Sequence, residues 1–180
     1  MLTNTHDSYG WVARLLHWLM AAAVIALFGI GLYMTGLGYY DPLYKTLPWR
    51  HKSVGLCVLA LIGVRLLWRL TNVTPAHLAT HTRLEVVLGG LVHIGLYALL
   101  LVICISGYLI STAKGKGIDW FGVYEVPAMI EPFERQGDLA GDIHLIAAWV
   151  LIGLVVLHAA AALKHHFIDK DNTLIRMTRG

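Results

Sequence analysis

Four long apolar runs constrain this chain more than any other feature. They extend roughly over Trp11–Tyr33, Trp49–Leu70, Leu84–Ile110 and Gly141–Leu163. Each reaches the length of about 20 residues that an α-helix needs to cross a bilayer's hydrocarbon core. Charge collects mainly between the runs and at their ends: 14% of residues are charged against 57% hydrophobic, and the mean hydropathy is +0.65. The spacing therefore predicts an all-α chain, a four-helix transmembrane bundle formed by one domain over residues 1–180. Tyr9, Trp11 and Trp18 near one end of the first run, and Tyr33, Tyr39 and Tyr40 near the other, fit interfacial belts. Met1 to Gly10 has no basic region followed by a small-residue cleavage site and reads as a retained N-terminus.

Four spans put both termini on one side. That side carries Arg14, Arg65, Arg69, Arg83, Lys164, Lys170, Arg176 and Arg179; the other carries Lys45, Arg50, Lys52, Lys114, Lys116 and Arg135. The positive-inside bias places the termini in the cytoplasm. The net charge of +3, with no basic patch interleaved with aromatics, gives no case for nucleic acid. Cys57 and Cys104 each sit inside an apolar run and in no CxxC or CxxCH arrangement, so they read as small core residues. The segment Glu131-Pro-Phe-Glu-Arg-Gln136 in the longest connection reads as a short surface helix.

Ten histidines are the anomaly in so apolar a chain, because an intramembrane ionisable residue is by default a functional candidate. His144 and His158 share the fourth run, fourteen residues apart. That spacing is four helical turns to within roughly 40°, so both project from one face, about 21 Å apart along the axis. His17 lies near the cytoplasmic end of the first helix, at the level of His158. His51 and His144 each fall within about a turn of the outer ends of their helices. Two level pairs result, His17 with His158 and His51 with His144. Two neutral imidazoles facing each other from different helices are what axial ligation of a b-type haem requires, so the pattern implies two haems. A site with no open position predicts electron transfer. Zinc would bring Cys, Asp or a third His at short spacing, and none accompanies these residues.

His93 lies near mid-depth with no level partner and reads as a structural or proton-relay residue. His6, His77 and His81 read as solvated loop residues. His165 continues the His144–His158 stripe to the cytoplasmic surface, and His166 faces away from it. Gly55 and Ala159–Ala162 present small surfaces where a flat macrocycle can approach. Arg14, Arg50 and Lys52 lie near the membrane edges, where they either pair haem propionates or extend to headgroups.

The chain resembles the bacterial cytochrome b561 family over nearly its whole length. The matching pieces are Arg14-Leu-Leu-His17-Trp18, His51 with Val64-Arg-Leu-Leu-Trp-Arg69, and Gly107. The most specific is Leu157-His-Ala-Ala-Ala-Ala-Leu-Lys-His-His166 with Lys170-Asp-Asn-Thr-Leu-Ile-Arg-Met177. The resemblance implies a multi-pass protein of the bacterial inner membrane with two b haems. It also implies a superoxide oxidase branch, in which superoxide gives its electron to the outer haem and ubiquinone takes electrons at the inner one, in the region of His165. In such a protein Lys114 and Lys116, with Lys52 and Arg50, could draw a small anion toward the outer haem, and His165 could pass protons to the quinone. Five acids in the same long loop oppose that steering. The compact chain calls for no obligatory protein partner beyond the bilayer. Two other readings stay open. One is a cytochrome b subunit carrying electrons from a partner dehydrogenase or hydrogenase to quinone. The other is a histidine-lined transporter without haem.

Overall fold

The computed structural model describes residues 1–179. Four long helices dominate it: α1 (Trp11–Thr35), α2 (Thr46–Thr71), α3 (Arg83–Thr112) and α4 (Gln136–Phe167), with a short α5 (Thr173–Thr178) after them. Each of the four is long and apolar enough to cross a membrane. A helix is the natural solution for a single crossing segment, since it satisfies its backbone polar groups internally where no water is available.

The helices run beyond the apolar runs that predict them. Pro48 falls inside the first turn of α2, where its missing N–H breaks no hydrogen bond. α3 starts on a reciprocal cap: the Thr82 hydroxyl accepts from the Glu85 N–H, and the Glu85 carboxylate accepts from the Thr82 N–H. The largest difference is at α4, which begins at Gln136 instead of near Gly141. His144 therefore sits about two turns inside the helix, not within its first turn.

The expected surface helix over 131–136 is not formed. Residues 131–133 are irregular, 134–135 form a turn, and Arg135 adopts φ 59 immediately before α4. A proline at 132 and a left-handed residue at 135 leave no room for a helical turn between them. The same long connection instead holds an antiparallel hairpin, β1 (Ile118–Trp120) with β2 (Tyr124–Val126). Phe121 and Gly122, both at positive φ, make its turn. The hairpin packs over the start of α2 through a fully buried serine. Ser53 Oγ accepts from the Phe121 N–H at 3.2 Å and reaches the Asp119 carbonyl at 3.4 Å.

Packing is strongest between α3 and α4 and between α1 and α2, with α2 also against α3. The core is narrow. Met20, Val58, Ile62, Leu100 and Leu151 are buried where the four helices meet. Outward-facing leucines, isoleucines and valines such as Leu91, Ile94, Val156 and Leu157 are more than half exposed, the pattern of a bundle whose outer solvent is lipid.

Both termini lie at one end. The Trp18 indole N–H donates to the Met177 carbonyl at 2.9 Å, Arg14 donates to the Thr178 carbonyl, and Arg176 donates to the Ala76 carbonyl at 2.7 Å. The C-terminal segment thus lies across the start of α1 and the α2–α3 loop. Gln136 performs the matching task at the opposite end. Its amide donates to the Leu109 carbonyl at 2.9 Å, and its oxygen accepts from the Phe133 N–H. Gln136→Ala should leave both backbone groups without a partner. The expected cost is about 1–3 kcal/mol, seen as a lower unfolding temperature in detergent micelles.

Candidate haem-binding histidines

The long helices bring the predicted pairs face to face. His17 on α1 and His158 on α4 have ring centroids 6.2 Å apart, and so do His51 on α2 and His144 on α4. A metal held on both sides by imidazole nitrogens at about 2.0–2.1 Å sets the two ring centres roughly 6 Å apart. Both openings therefore have the width of a bis-histidine metal site. They lie fourteen residues apart on one helix, about 21 Å along its axis.

Proton placement at the outer pair suits ligation. His144 Nδ1 lies 2.9 Å from the Ile103 carbonyl and 3.2 Å from Ser106 Oγ. A carbonyl only accepts, so Nδ1 carries the proton and the lone pair is left on Nε2, the nitrogen free to bind a metal. Ser106 itself donates back to the Val102 carbonyl. His51 Nδ1 is buried with no hydrogen-bond partner among the described residues, a state that proteins keep rarely and mostly where something else completes the site.

Glycines give both rings clearance. A Cβ on Gly31 would come within 3.4 Å of His51 Cε1, and one on Gly107 within 3.1 Å of His144 Cε1.

At the inner pair the width fits and the tautomer of His17 does not. Arg65 Nη2 lies 3.0 Å from His17 Nδ1. Arginine only donates, so Nδ1 holds the lone pair and a neutral ring carries its proton on Nε2. Ligation through Nε2 thus requires the Arg65 contact to break. The same guanidinium lies over the Tyr97 ring at 5.6 Å. From sequence, Arg65 stands only among the charges of the cytoplasmic side and in the Val64–Arg69 piece of the family resemblance. Its position one turn before Arg69 on the same helix gives no sign of this contact.

His93 is closer to the inner pair than depth counting allowed. Its ring centroid is 5.3 Å from that of His158, so the expectation that it lacks a level partner is corrected. The cause is the length of α4. His93 is ten residues beyond Arg83, and His158 is nine residues before Phe167, on antiparallel helices. The inner site therefore holds three histidines and one arginine.

The remaining predicted residues are dispersed. Arg14 is half-buried at the tail contact, and its Nε has no partner among the described residues. Arg50, Lys114 and Lys116 are exposed, and Lys52 is half-buried next to His51. None of these four enters an ion pair among the described residues. Lys114 follows the end of α3 and Lys116 precedes β1, so both belong to the end of the bundle that holds His51 and His144.

His165 is held by acids. Its Nδ1 lies 3.0 Å from Asp171 Oδ2 and 3.0 Å from Asp169 Oδ2. His81, expected to be a solvated loop residue, is instead mostly buried and reaches the same Asp171 oxygen at 3.2 Å, with its ring 4.6 Å from that of His165. Asp171 gets there because Lys170 takes φ 56 and the Asp171 N–H closes back onto the His165 carbonyl. Burial alone would raise the Asp171 carboxyl. Hydrogen bonds from the Thr173 N–H and hydroxyl, with the facing His165 and His81, bring it down instead to about 2.

The comparisons with known proteins agree with this architecture. The profile of the family described as prokaryotic cytochrome b561 matches residues 8–180. The chain belongs to that family. It is similar to "Cytochrome b561 homolog 2" of Escherichia coli (strain K12), with 44% identity over 97% of this chain and 93% of the relative. It is similar to "Probable superoxide oxidase CybB" of Yersinia pestis at 33% identity over 96% of each. A third relative, "Cytochrome b561 homolog 1" of Escherichia coli (strain K12), is 32% identical over 71% of this chain and 72% of its own. Cytochromes b561 are membrane electron-transfer proteins that bind b-type haem, so this chain is a multi-pass bacterial membrane protein of that class.

Two substitutions examine the site. Gly107→Val should push a side chain into His144 and deplete the haem held at the outer pair while sparing most of the other. His158→Ala should do the reverse. Reduced-minus-oxidised spectra of the purified variants separate the two; unchanged b-type bands in His158→Ala would remove that histidine from ligation.

Proposed function

We propose that this cytochrome b561 is a superoxide:ubiquinone oxidoreductase of the bacterial inner membrane, with both termini in the cytoplasm. His51 and His144 would hold an outer haem, and His17 and His158 an inner one. The observation that carries the reading is the pair of equal openings, 6.2 Å each, placed one above the other on α4. A b-type haem at each supplies one-electron transfer between the two faces of the membrane. The relative named a probable superoxide oxidase supports the choice of donor.

The balanced reaction takes two superoxide anions, one ubiquinone and two protons to two molecules of dioxygen and one ubiquinol. Each superoxide is oxidised by one electron, and the quinone accepts two electrons with two protons. Two electron sites in one chain suit a one-electron donor coupled to a two-electron acceptor.

The chain's own residues divide the remaining work. Lys114, Lys116, Lys52 and Arg50, which enter no ion pair among the described residues, would raise the encounter rate of a small anion at the outer end. Arg14 and Arg50 would pair haem propionates; the buried Arg14 Nε, without a partner among the described residues, supports this for Arg14. At the cytoplasmic end, ionised Asp171 holds the His165 Nδ1–H, which leaves Nε2 as the nitrogen that exchanges a proton with the quinone.

The purified protein, with no other protein present, should show rapid reduction of its b-type band by superoxide and ubiquinone reduction at a 2:1 ratio. Reduction only on addition of a dehydrogenase or hydrogenase would replace this reading with that of a cytochrome b carrier subunit. Changing both Lys114 and Lys116 to Glu should slow the reaction with superoxide several-fold at low ionic strength. The difference should shrink at 1 M salt, where the screening length is about 3 Å, and the haem spectrum should not change.

A further inference from the structure

The donor atoms gathered by the C-terminal segment have a second use that does not depend on the quinone reading. His81 Nε2, His165 Nδ1 and Asp171 Oδ2 all lie within 4.8 Å of one another. The two imidazole nitrogens stand 3.2 Å and 3.0 Å from the same carboxylate oxygen. A tetrahedral ion with bonds of about 2.0–2.1 Å spaces its ligand atoms by roughly 3.3 Å. Two of the three donor separations therefore already match those of a zinc site, and the third is within 4.8 Å. Its three donors come from three separate segments: the α2–α3 loop, the last turn of α4 and the turn before α5.

We propose that His81, His165 and Asp171 form a binding site for a divalent zinc-like cation at the cytoplasmic end of the bundle. Two imidazoles and one carboxylate favour zinc over magnesium or calcium, which prefer all-oxygen shells. The site is sheltered yet not sealed: the three side chains keep 15%, 13% and 4% of their surface exposed. The fourth position would fall to a water, since Asp169 Oδ2, although 3.0 Å from His165 Nδ1, is engaged by Lys164 at 2.8 Å.

The neighbouring charges are arranged around the same centre. Lys164 pairs with Glu85 and Asp169 at 2.8 Å each, which offsets two carboxylates and leaves Asp171 as the anion facing the imidazoles. Thr80 Oγ1 donates to Asp171 Oδ2 at 3.4 Å, while Thr173 Oγ1, 3.1 Å from His81 Nε2, meets the donor nitrogen itself and would give way to a cation. In the absence of metal the imidazole N–H groups fill the centre as hydrogen bonds to Asp171. A cation would displace those protons and pin the tail across the bundle end. It would also take the nitrogen that orients His165, so an occupied site would inhibit proton transfer there.

The test uses the haem-loaded protein in detergent, stripped with a chelator and titrated with Zn²⁺ alone against a fluorescent zinc indicator. One site per chain is expected. His81→Ala and Asp171→Asn should each weaken it by about tenfold or more, while His77→Ala, a solvent-exposed histidine of the same loop, should leave it unchanged. The haem spectrum reports whether each variant is folded. X-ray absorption of the zinc-loaded wild type gives a reading that needs no variant, with two imidazoles expected in the first shell. Equal affinity in wild type, His81→Ala and Asp171→Asn, or an all-oxygen shell, would overturn the proposal.

Discussion

The structure depends on the cost of holding imidazole in hydrocarbon. Five histidines lie more than a turn inside the ends of the spanning helices, and each must be neutral, partnered or ligated to stay there. The bundle meets this demand by facing them inward. His144 is tied by Ile103 and Ser106, His17 by Arg65, and His93 and His158 lie against each other. His51, by contrast, keeps a buried nitrogen without a partner. The outside of the bundle can then be almost wholly apolar, because its polar groups are spent on one another along the axis.

Glycine and serine make that inward facing possible. Gly31 and Gly107 give two rings the clearance that a methyl group would remove. Ser106 returns its own hydroxyl to the helix backbone while touching His144. At the outer end, Ser53 and Gln136 fasten the hairpin and the start of α4 to the bundle. At the other end the same role falls to the segment holding Arg176, Met177 and Thr178, which reaches back over α1 and the α2–α3 loop. His165 is thereby held between the turn that follows α4 and His81 of the α2–α3 loop.

What could be read beforehand follows from what periodicity encodes. Fourteen residues on one helix fix a common face, so the His144–His158 stripe is legible from spacing and rise, and its facing partners from their depth within the helices. Depth counted from helix ends was less secure, since α4 extends past the apolar run at both ends. That extension is why His93 was placed away from His158. Contacts such as Arg65 to His17 and His81 to Asp171 join positions 48 and 90 residues apart. No repeat or motif announces them, because they depend on helix rotation and on a left-handed turn at Lys170. The hairpin escaped notice for a related reason: two three-residue strands carry too little alternation to stand out.

The central claim is that one helix carries a ligand for each of two metal centres at two depths. The haem-to-protein ratio of the purified wild-type chain, measured by extracting and quantifying the haem as its pyridine complex, addresses it most directly. The account predicts two haems per chain. A saturated ratio of one would contradict it.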